Sequence, residues 1–255
     1  MELSPRLQCM ADQIAPGERT ADIGTDHGYL PLYLYQSGRS PYVIMGDLSK
    51  GSLDKARETF SQAGLSACDT IHFRQGDGLE ILEDGEVDTV VIAGVGALLM
   101  EQLLDWDRGK VSTYRKLILQ PRNKTCLLRM WLQEAGFAIE NERFVMEGKH
   151  LCEILTVVPP ARPVAGPIPR YLTEKDVPDP AEIAALEYPD SLLRGDLSLA
   201  VVQAYLAEQG KVQEYILAKL AEGKGQLARI SPEYRLGQAR QDRILQLTNR
   251  LDDIQ

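Results

Sequence analysis

Along residues 1–158 two hydrophobic patterns take turns: short, nearly continuous apolar runs, and longer stretches apolar on one helical face. The runs ending in Ala21–Gly24, and those over Tyr42–Asp47, Thr70–Arg74, Val87–Ala93 and Lys116–Gln120, predict five β-strands. Between them, Leu30–Gln36, Ser52–Ala63, Leu98–Leu104 and Thr125–Ala135 predict helices; Gly38, Gly64 and Gly136 mark three of their ends. A leading helix over Leu3–Met10 starts at the Ser4-Pro5 signal. Ala138–Val145 and Leu151–Val158 predict two more strands, an antiparallel pair. Val87–Ala93 has so few polar positions that it suits a central strand covered on both faces. Strands alternating with helices through short loops indicate an α/β fold with a mostly parallel sheet.

After Val158 the texture changes. Seven prolines fall between Pro159 and Pro180, too many for a helix or a central strand, so residues 159–190 are expected to be a Pro-rich linker. Beyond it, Ser191–Glu222 and Arg235–Ile254 predict long amphipathic helices. One stripe carries Leu199, Val202, Tyr205 and Leu206, continued by Val212, Ile216, Leu217 and Leu220; the other carries Leu236, Ile244, Leu247 and Leu251. Gly223-Lys224-Gly225 lets the chain double back, and neither stripe is stable exposed, so residues 191–255 are expected to form a helical hairpin. The resulting division is a first domain over 1–158, the linker, and the hairpin domain.

Composition changes this picture little. Hydrophobic residues make up 44% and charged residues 25% of 255, ordinary for a folded chain. No apolar run approaches the ~20 residues of a membrane span, and the start shows no basic stretch followed by an apolar core. No membrane association and a cytoplasmic location are therefore expected. The four cysteines have no close pair and only three histidines accompany them, so buried free thiols are expected, with neither disulfide nor metal. A net charge of −9 argues against bulk, non-specific affinity for nucleic acid, though not against a local basic face. No feature of the sequence sets an oligomeric state.

The strand ends carry the chemistry. Ala21-Asp22-Ile23-Gly24-Thr25-Asp26-His27-Gly28 is a strand, a glycine turn and a helix start, which brings a ligand against backbone at the sheet's carboxyl edge. Gly24 admits a close approach, but the G-x-G-x-x-G spacing of a pyrophosphate cradle is absent. Asp22 suits the cationic aminoacyl end of S-adenosylmethionine better than a phosphate. Asp47, 25 residues on and followed by Leu48, suits a ribose; Asp77 in Gly76-Asp77-Gly78 suits an adenine amine; Ala93-Gly94 closes the fourth strand. Asp22, Gly24, Asp47, Leu48, Gly76, Asp77, Gly78, Ala93 and Gly94 are thus the expected cofactor-binding residues, gathered around one hollow.

The string Asp22-Ile23-Gly24-Thr25-Asp26-His27-Gly28-Tyr29-Leu30-Pro31 resembles the signature of the bacterial tRNA (adenine-22-N1)-methyltransferases, the TrmK family. The resemblance continues through Gly46–Ala56, Gly76–Leu79, Val91–Gly94, Leu117–Pro121 and the Leu128–Leu132 stretch, covering most of residues 1–158. It implies a Rossmann-like class I methyltransferase sheet with a coiled-coil-like C-terminal helical domain. It also implies S-adenosylmethionine as cofactor, tRNA as partner, and methylation of N1 of an adenine in the D-loop region, with the C-terminal helices helping to hold the RNA. Family members usually have Gly-Met-Gly-Gly where this chain has Gly94-Val95-Gly96-Ala97, a change expected to narrow the acceptor pocket or to strain the backbone. On this reading Asp26 accepts from the adenine amine or balances developing positive charge, His27 orients the loop and Tyr29 stacks on the base; these three are the expected catalytic residues. Arg6, Arg122, Lys124, Arg129, Lys211, Lys219, Lys224, Arg229 and the last helix's arginines are candidates to meet phosphate. Two other readings stay open. One is a methyltransferase-like protein acting on another nucleic acid or on none; the other is a non-enzymatic RNA- or protein-binding module using the C-terminal helices.

Overall fold

A computed structural model describes residues 1–170, 179–195, 197–224, 229 and 231–254. Its first half is a seven-stranded sheet in the order β3-β2-β1-β4-β5-β7-β6. The strands are β1 (Thr20–Ile23), β2 (Val43–Asp47), β3 (Ile71–Gln75), β4 (Thr89–Val95), β5 (Lys116–Pro121), β6 (Ala138–Glu147) and β7 (His150–Val158). β1 to β5 run parallel and β6 pairs antiparallel with β7, as the sequence predicts; β7 also pairs antiparallel with β5. Strand order reverses between β1 and β4, and that is where a crevice opens at the carboxyl edge of such a sheet. The expected Rossmann-like, mostly parallel sheet is present.

The helices follow from local signals. Ser4 caps α1 (Pro5–Asp12), accepting from the Leu7 amide, with Pro5 in the first turn where its missing N–H costs nothing. Then come α2 (Tyr29–Gln36), α3 (Lys50–Gln62), α4 (Ala97–Trp106), the short α5 (Arg108–Val111) and α6 (Thr125–Glu134). Val90, Val91 and Ile92 of β4 are fully buried, as the continuous run requires. Met10, Ile14, Leu30 and Leu34 pack with Val91, Ile118 and Ile154, while Leu53 and Phe60 of α3 pack with Val43 and Met45. Burial of each such side chain contributes about 1.5–3 kcal/mol, so the strand ends rest on a firm base.

The chain divides into two compact units, residues 1–124 with 131–168 and residues 125–130 with 169–255. This division differs from the sequence reading. Residues of the expected linker belong to both units. In the first, Arg108 donates to the Val164 and Gly166 carbonyls at 2.6 and 2.8 Å. In the second, α7 (Pro180–Glu187) is a helix capped by Asp179, whose Asp-Pro start was hidden among the surrounding prolines. Residues 171–178 lie outside the described residues.

The second unit also contains α8 (Leu199–Lys224) and α9 (Pro232–Asp252). α8 starts later than expected: Asp190–Leu193 is a separate 3-10 turn. Gly210 faces Ile244 and Leu217 faces Gly237, the register of an antiparallel hairpin. Val202, Leu206, Leu236, Ile244, Leu247 and Leu251 are buried, whereas Val212 and Ile216, expected on the stripe, are exposed. No described helix is long and apolar enough to cross a membrane. All four cysteines are free thiols, but only Cys126 is buried; Cys9 and Cys152 are half-buried and Cys68 is exposed.

Candidate functional site

The register sets the site. Ile23 pairs with Gly46 on one side and Ile92 on the other, so the turn after β1 emerges level with Asp47 and Ala93. Gly24 and Thr25 both donate their amides to the Gly46 carbonyl, at 2.8 and 3.1 Å. A hollow of ≈ 440 Å³ opens here. Its walls come from Arg6, Leu7 and Met10 of α1, from Asp22 and residues 24–30, and from Ala93, Gly94 and Val95 of β4. Gly24 and Gly94 have φ of 81° and 75°, and nothing lies within 4 Å of where a Cβ would stand on either. Any side chain there would be strained and would point into the free space.

Asp22 keeps some exposure through the hollow, but protein encloses it on nearly every side. Burial pushes its carboxyl up to about 6, opposed by the nearby Thr25 hydroxyl and Arg6 and reinforced by Asp47. That Thr25 hydroxyl is itself buried without a partner at hydrogen-bond geometry, so its effect on Asp22 is one of proximity. A buried carboxylate held this far up favours a cationic neighbour.

At the mouth, Asp26 has a different environment. Lys55 of α3 donates to Oδ1 at 2.8 Å, and Nδ1 of His27 lies 2.8 Å from Oδ2. The Lys55 hydrogen bond, with a smaller contribution from His27, holds the Asp26 carboxyl below its ordinary value. The His27 ring stacks on Tyr29, centroids 5.2 Å apart and 9° from parallel. Both rings keep much of their surface exposed: Tyr29 is 44% accessible. The result is a flat aromatic ledge beside a fully matched carboxylate.

The hollow therefore unites Asp22, Gly24, Asp26, His27, Tyr29, Ala93 and Gly94. It does not include Asp47, Leu48, Gly76, Asp77 or Gly78, which corrects the expectation of a single hollow lined by all four strand ends. Those residues form a more open shelf at the ends of β2 and β3. Asp77 is exposed, Leu48 is 68% accessible, and Asp47 uses one oxygen to accept from the Ser49 amide at 2.7 Å. The Asp47 carbonyl accepts from Gly76, and the Leu48 carbonyl from Gln75 Nε2, which ties the two ends together. The missing Cβ positions of Gly76 and Gly78 are filled by Ile81 and Leu103, so these glycines serve packing.

Arg6 and Lys55 gain roles that local sequence does not reveal. Arg6 reaches the hollow only because α1 docks against Glu147 at the end of β6, and its Nη1 donates to buried Gln120 at 3.2 Å. Several candidate phosphate contacts are otherwise engaged. Arg129 is buried and donates to the Leu186 carbonyl, Arg240 pairs with Glu187, and Arg243 and Arg250 pair with Asp190. Arg122, Lys211, Arg229 and Arg235 stay exposed, whereas the side chain of Lys224 lies outside the described residues. The feared strain at Val95 and Ala97 is absent: among described non-glycine residues only Lys124 has a positive φ. Val95 does line the hollow. Among the described residues no cluster of three or more His, Cys, Asp or Glu is placed to hold a metal ion.

Comparison with known proteins agrees with this geometry. A family model described as a methyltransferase domain matches residues 3–155. The tRNA (adenine(22)-N(1))-methyltransferase of Bacillus subtilis (strain 168) is 36% identical over 155 residues, 61% of this chain and 64% of that protein. The match thus spans just under two thirds of that curated relative's length. Among solved structures, the B. subtilis M1A22 tRNA methyltransferase TrmK aligns with a TM-score of 0.76 at 25% identity, covering 97% of this chain and 99% of that one. Sp1610 of Streptococcus pneumoniae, in complex with S-adenosyl-L-methionine, aligns at 0.75 and 25% identity, covering 97% and 100%.

Proposed function

The chain belongs to the methyltransferase domain family, and we propose that it methylates N1 of adenine-22 in tRNA, using S-adenosylmethionine, in the cytoplasm. The observation that carries this reading is the hollow at the β1/β4 reversal, where two left-handed glycines open onto free space beside a buried carboxylate. The family match, the substrate named for the B. subtilis relative and the cofactor in the Sp1610 complex support it.

The residues fit the cofactor's parts. Asp22 offers a carboxylate for the ammonium, Gly24 and Gly94 leave room for close approach, and the shelf offers Asp47 for ribose hydroxyls and Leu48 and Asp77 for the adenine. When bound, S-adenosylmethionine supplies an activated methyl: adenine N1 donates its lone pair to that carbon as the C–S bond breaks, leaving a thioether and an N1-methylated, positively charged base. The protein's task is to position the base and exclude water, with no covalent residue needed. The His27–Tyr29 ledge gives the base a flat surface. Asp26, held in place by Lys55 and His27, accepts from the exocyclic amine of the adenine. The base must leave its stack to reach this ledge. The C-terminal helices hold the tRNA through the exposed Lys211 and Arg235, with exposed Arg229 in the chain between them, since the other α9 arginines are committed internally.

Incubation with labelled S-adenosylmethionine and unmodified tRNA, followed by mapping of the modified nucleotide, tests the reading; N1-methyladenine at position 22 is expected. Asp26→Ala should lower turnover by roughly 10²-fold while cofactor affinity stays near wild type. A second reading, a methyltransferase-like protein with another acceptor or none, is favoured by Val95 in the hollow's wall, where the family usually has methionine. Cofactor binding without transfer to bulk tRNA would select it.

A further inference from the structure

The carboxyl ends of β4 and β5 are built around one polar side chain, Asn123. Gly94, with its left-handed backbone, shifts the β4–β5 register so that Val95 pairs with Pro121. The Arg122 amide then donates to the Val95 carbonyl at 2.8 Å, which fixes the chain just past β5 beside the Val95 wall of the hollow. Asn123 follows, and its Oδ1 lies 3.3 Å from the missing Cβ of Gly96, so a side chain on Gly96 would crowd the amide. Lys124 comes next with a φ of 53°, a left-handed strain that no other described non-glycine residue carries. Such strain persists where the surrounding structure enforces it, and it gathers at functional sites. Asn123 is exposed, and among the described residues its amide has no hydrogen-bond partner.

A primary amide carries a donor and an acceptor side by side. On a purine, the edge that matches it with two hydrogen bonds is the N6 amine and N7 of adenine; guanine shows two acceptors there, and pyrimidines have no N7. Attack by N1 turns the Watson–Crick edge toward the methyl donor, so recognition of the base falls to the amine and N7. The amine has two hydrogens. Asp26, on the β1 side of the hollow, takes one of them in the function proposed above, and the one turned toward N7 remains.

We propose that Asn123 determines the choice of acceptor base: Oδ1 accepts from the N7-side hydrogen of the adenine amine and Nδ2 donates to N7, leaving N1 free to attack. The assignment rests on the methyltransferase reading above. Asn123 is then a specificity-determining residue that touches the base, Gly96 leaves it room, and the Arg122–Val95 hydrogen bond positions it.

Methylation kinetics of the full chain test this on ordinary tRNA and on tRNA carrying 7-deazaadenosine at the methylated position. That base keeps N1 and the amine but has C–H in place of N7. The unsubstituted protein should lose roughly 10-fold in kcat/KM on the deaza substrate, the size expected for one hydrogen bond. Asn123→Ala should lose roughly 10- to 100-fold on ordinary tRNA and show no further loss on the deaza substrate. Asn123→Asp, which keeps the acceptor but has no donor for N7, should lose the preference for ordinary tRNA, and it carries the test should the Ala variant fail to fold. Affinity for S-adenosylhomocysteine, read by calorimetry, should stay unchanged in both variants. Losses from Asn123→Ala and the deaza base that multiply would show that Asn123 does not touch N7, and full activity of Asn123→Ala would remove it from the site. A matching loss of S-adenosylhomocysteine affinity would show that Asn123 only props the wall; each of these overturns the assignment. If the unsubstituted protein transfers no methyl group to ordinary tRNA, the methyltransferase reading itself falls, and this assignment with it.

Discussion

At the β1 and β4 ends, the missing Cβ positions of Gly24 and Gly94 face empty space and both residues have left-handed backbone; at the β3 end, those of Gly76 and Gly78 are filled by Ile81 and Leu103. The carboxylates divide the same way. Asp22 sits enclosed and pushed up toward neutrality, while Asp47 and Asp77 stand beside solvent. One half of the edge is thus a chamber that protein leaves unfilled, and the other is a surface that protein has packed from beneath. The same residue types mean ligand access in the first half and element packing in the second. What distinguishes them is the neighbour that approaches the glycine, not the glycine.

Substitution can separate the halves. Gly24→Ala should produce the largest effect, roughly a 100-fold loss of S-adenosylhomocysteine affinity, because the new methyl enters the chamber; the left-handed φ adds about 1–2 kcal/mol of strain. Gly76→Ala should reverse the balance, lowering stability by about 1–3 kcal/mol through the clash with Ile81 while affinity per folded molecule changes little. Urea unfolding and calorimetry on both variants check the pair, and identical responses would erase the contrast.

Asp22→Asn probes the chamber's charge. Its carboxyl stands at about 6 in the folded protein against an ordinary 3.8, so the folded state binds the extra proton between those values. That contribution to stability is complete below about pH 4 and is lost as pH rises through 6. The Asn variant, which cannot ionise, should therefore be more stable than wild type above pH 6 by about 1–2 kcal/mol, after discounting for the exposure Asp22 keeps. It should also bind S-adenosylhomocysteine more than tenfold more weakly. Melting curves of both proteins at pH 4.5 and 7.5 read the first effect; a difference between variant and wild type that is the same at both would contradict the buried charge. Asp47→Asn, on the open shelf, should have the smallest effect: a several-fold loss of affinity.

Much of this was legible beforehand. β4 declared itself by its unbroken apolar run, α1 by Ser4-Pro5, and the glycine turn by its place after β1. What escaped were features decided by distant neighbours. Arg129, Arg243 and Arg250 read as surface charges because Leu186 and Asp190, which engage them, lie dozens of residues away. α7 carried an adequate start in Asp179-Pro180, yet the prolines around it outweighed that signal. Arg6 read as a phosphate contact because nothing near it in sequence shows that α1 docks on β6. The division of the glycines was invisible for the same reason, since Ile81 and Leu103 are placed by tertiary packing.

The clasp between Arg6 and Glu147 joins residues 141 positions apart. The glycine turn is complete once β1 meets β2 and β4, but the chamber's cationic wall waits for the last two strands of the sheet. During synthesis, a chain halted before β6 would display Asp22 and Gly24 in place with no guanidinium fixed opposite them. Closure of so distant a pair is among the slower events of folding. The chamber's full enclosure should therefore arrive late, as a property of the finished sheet.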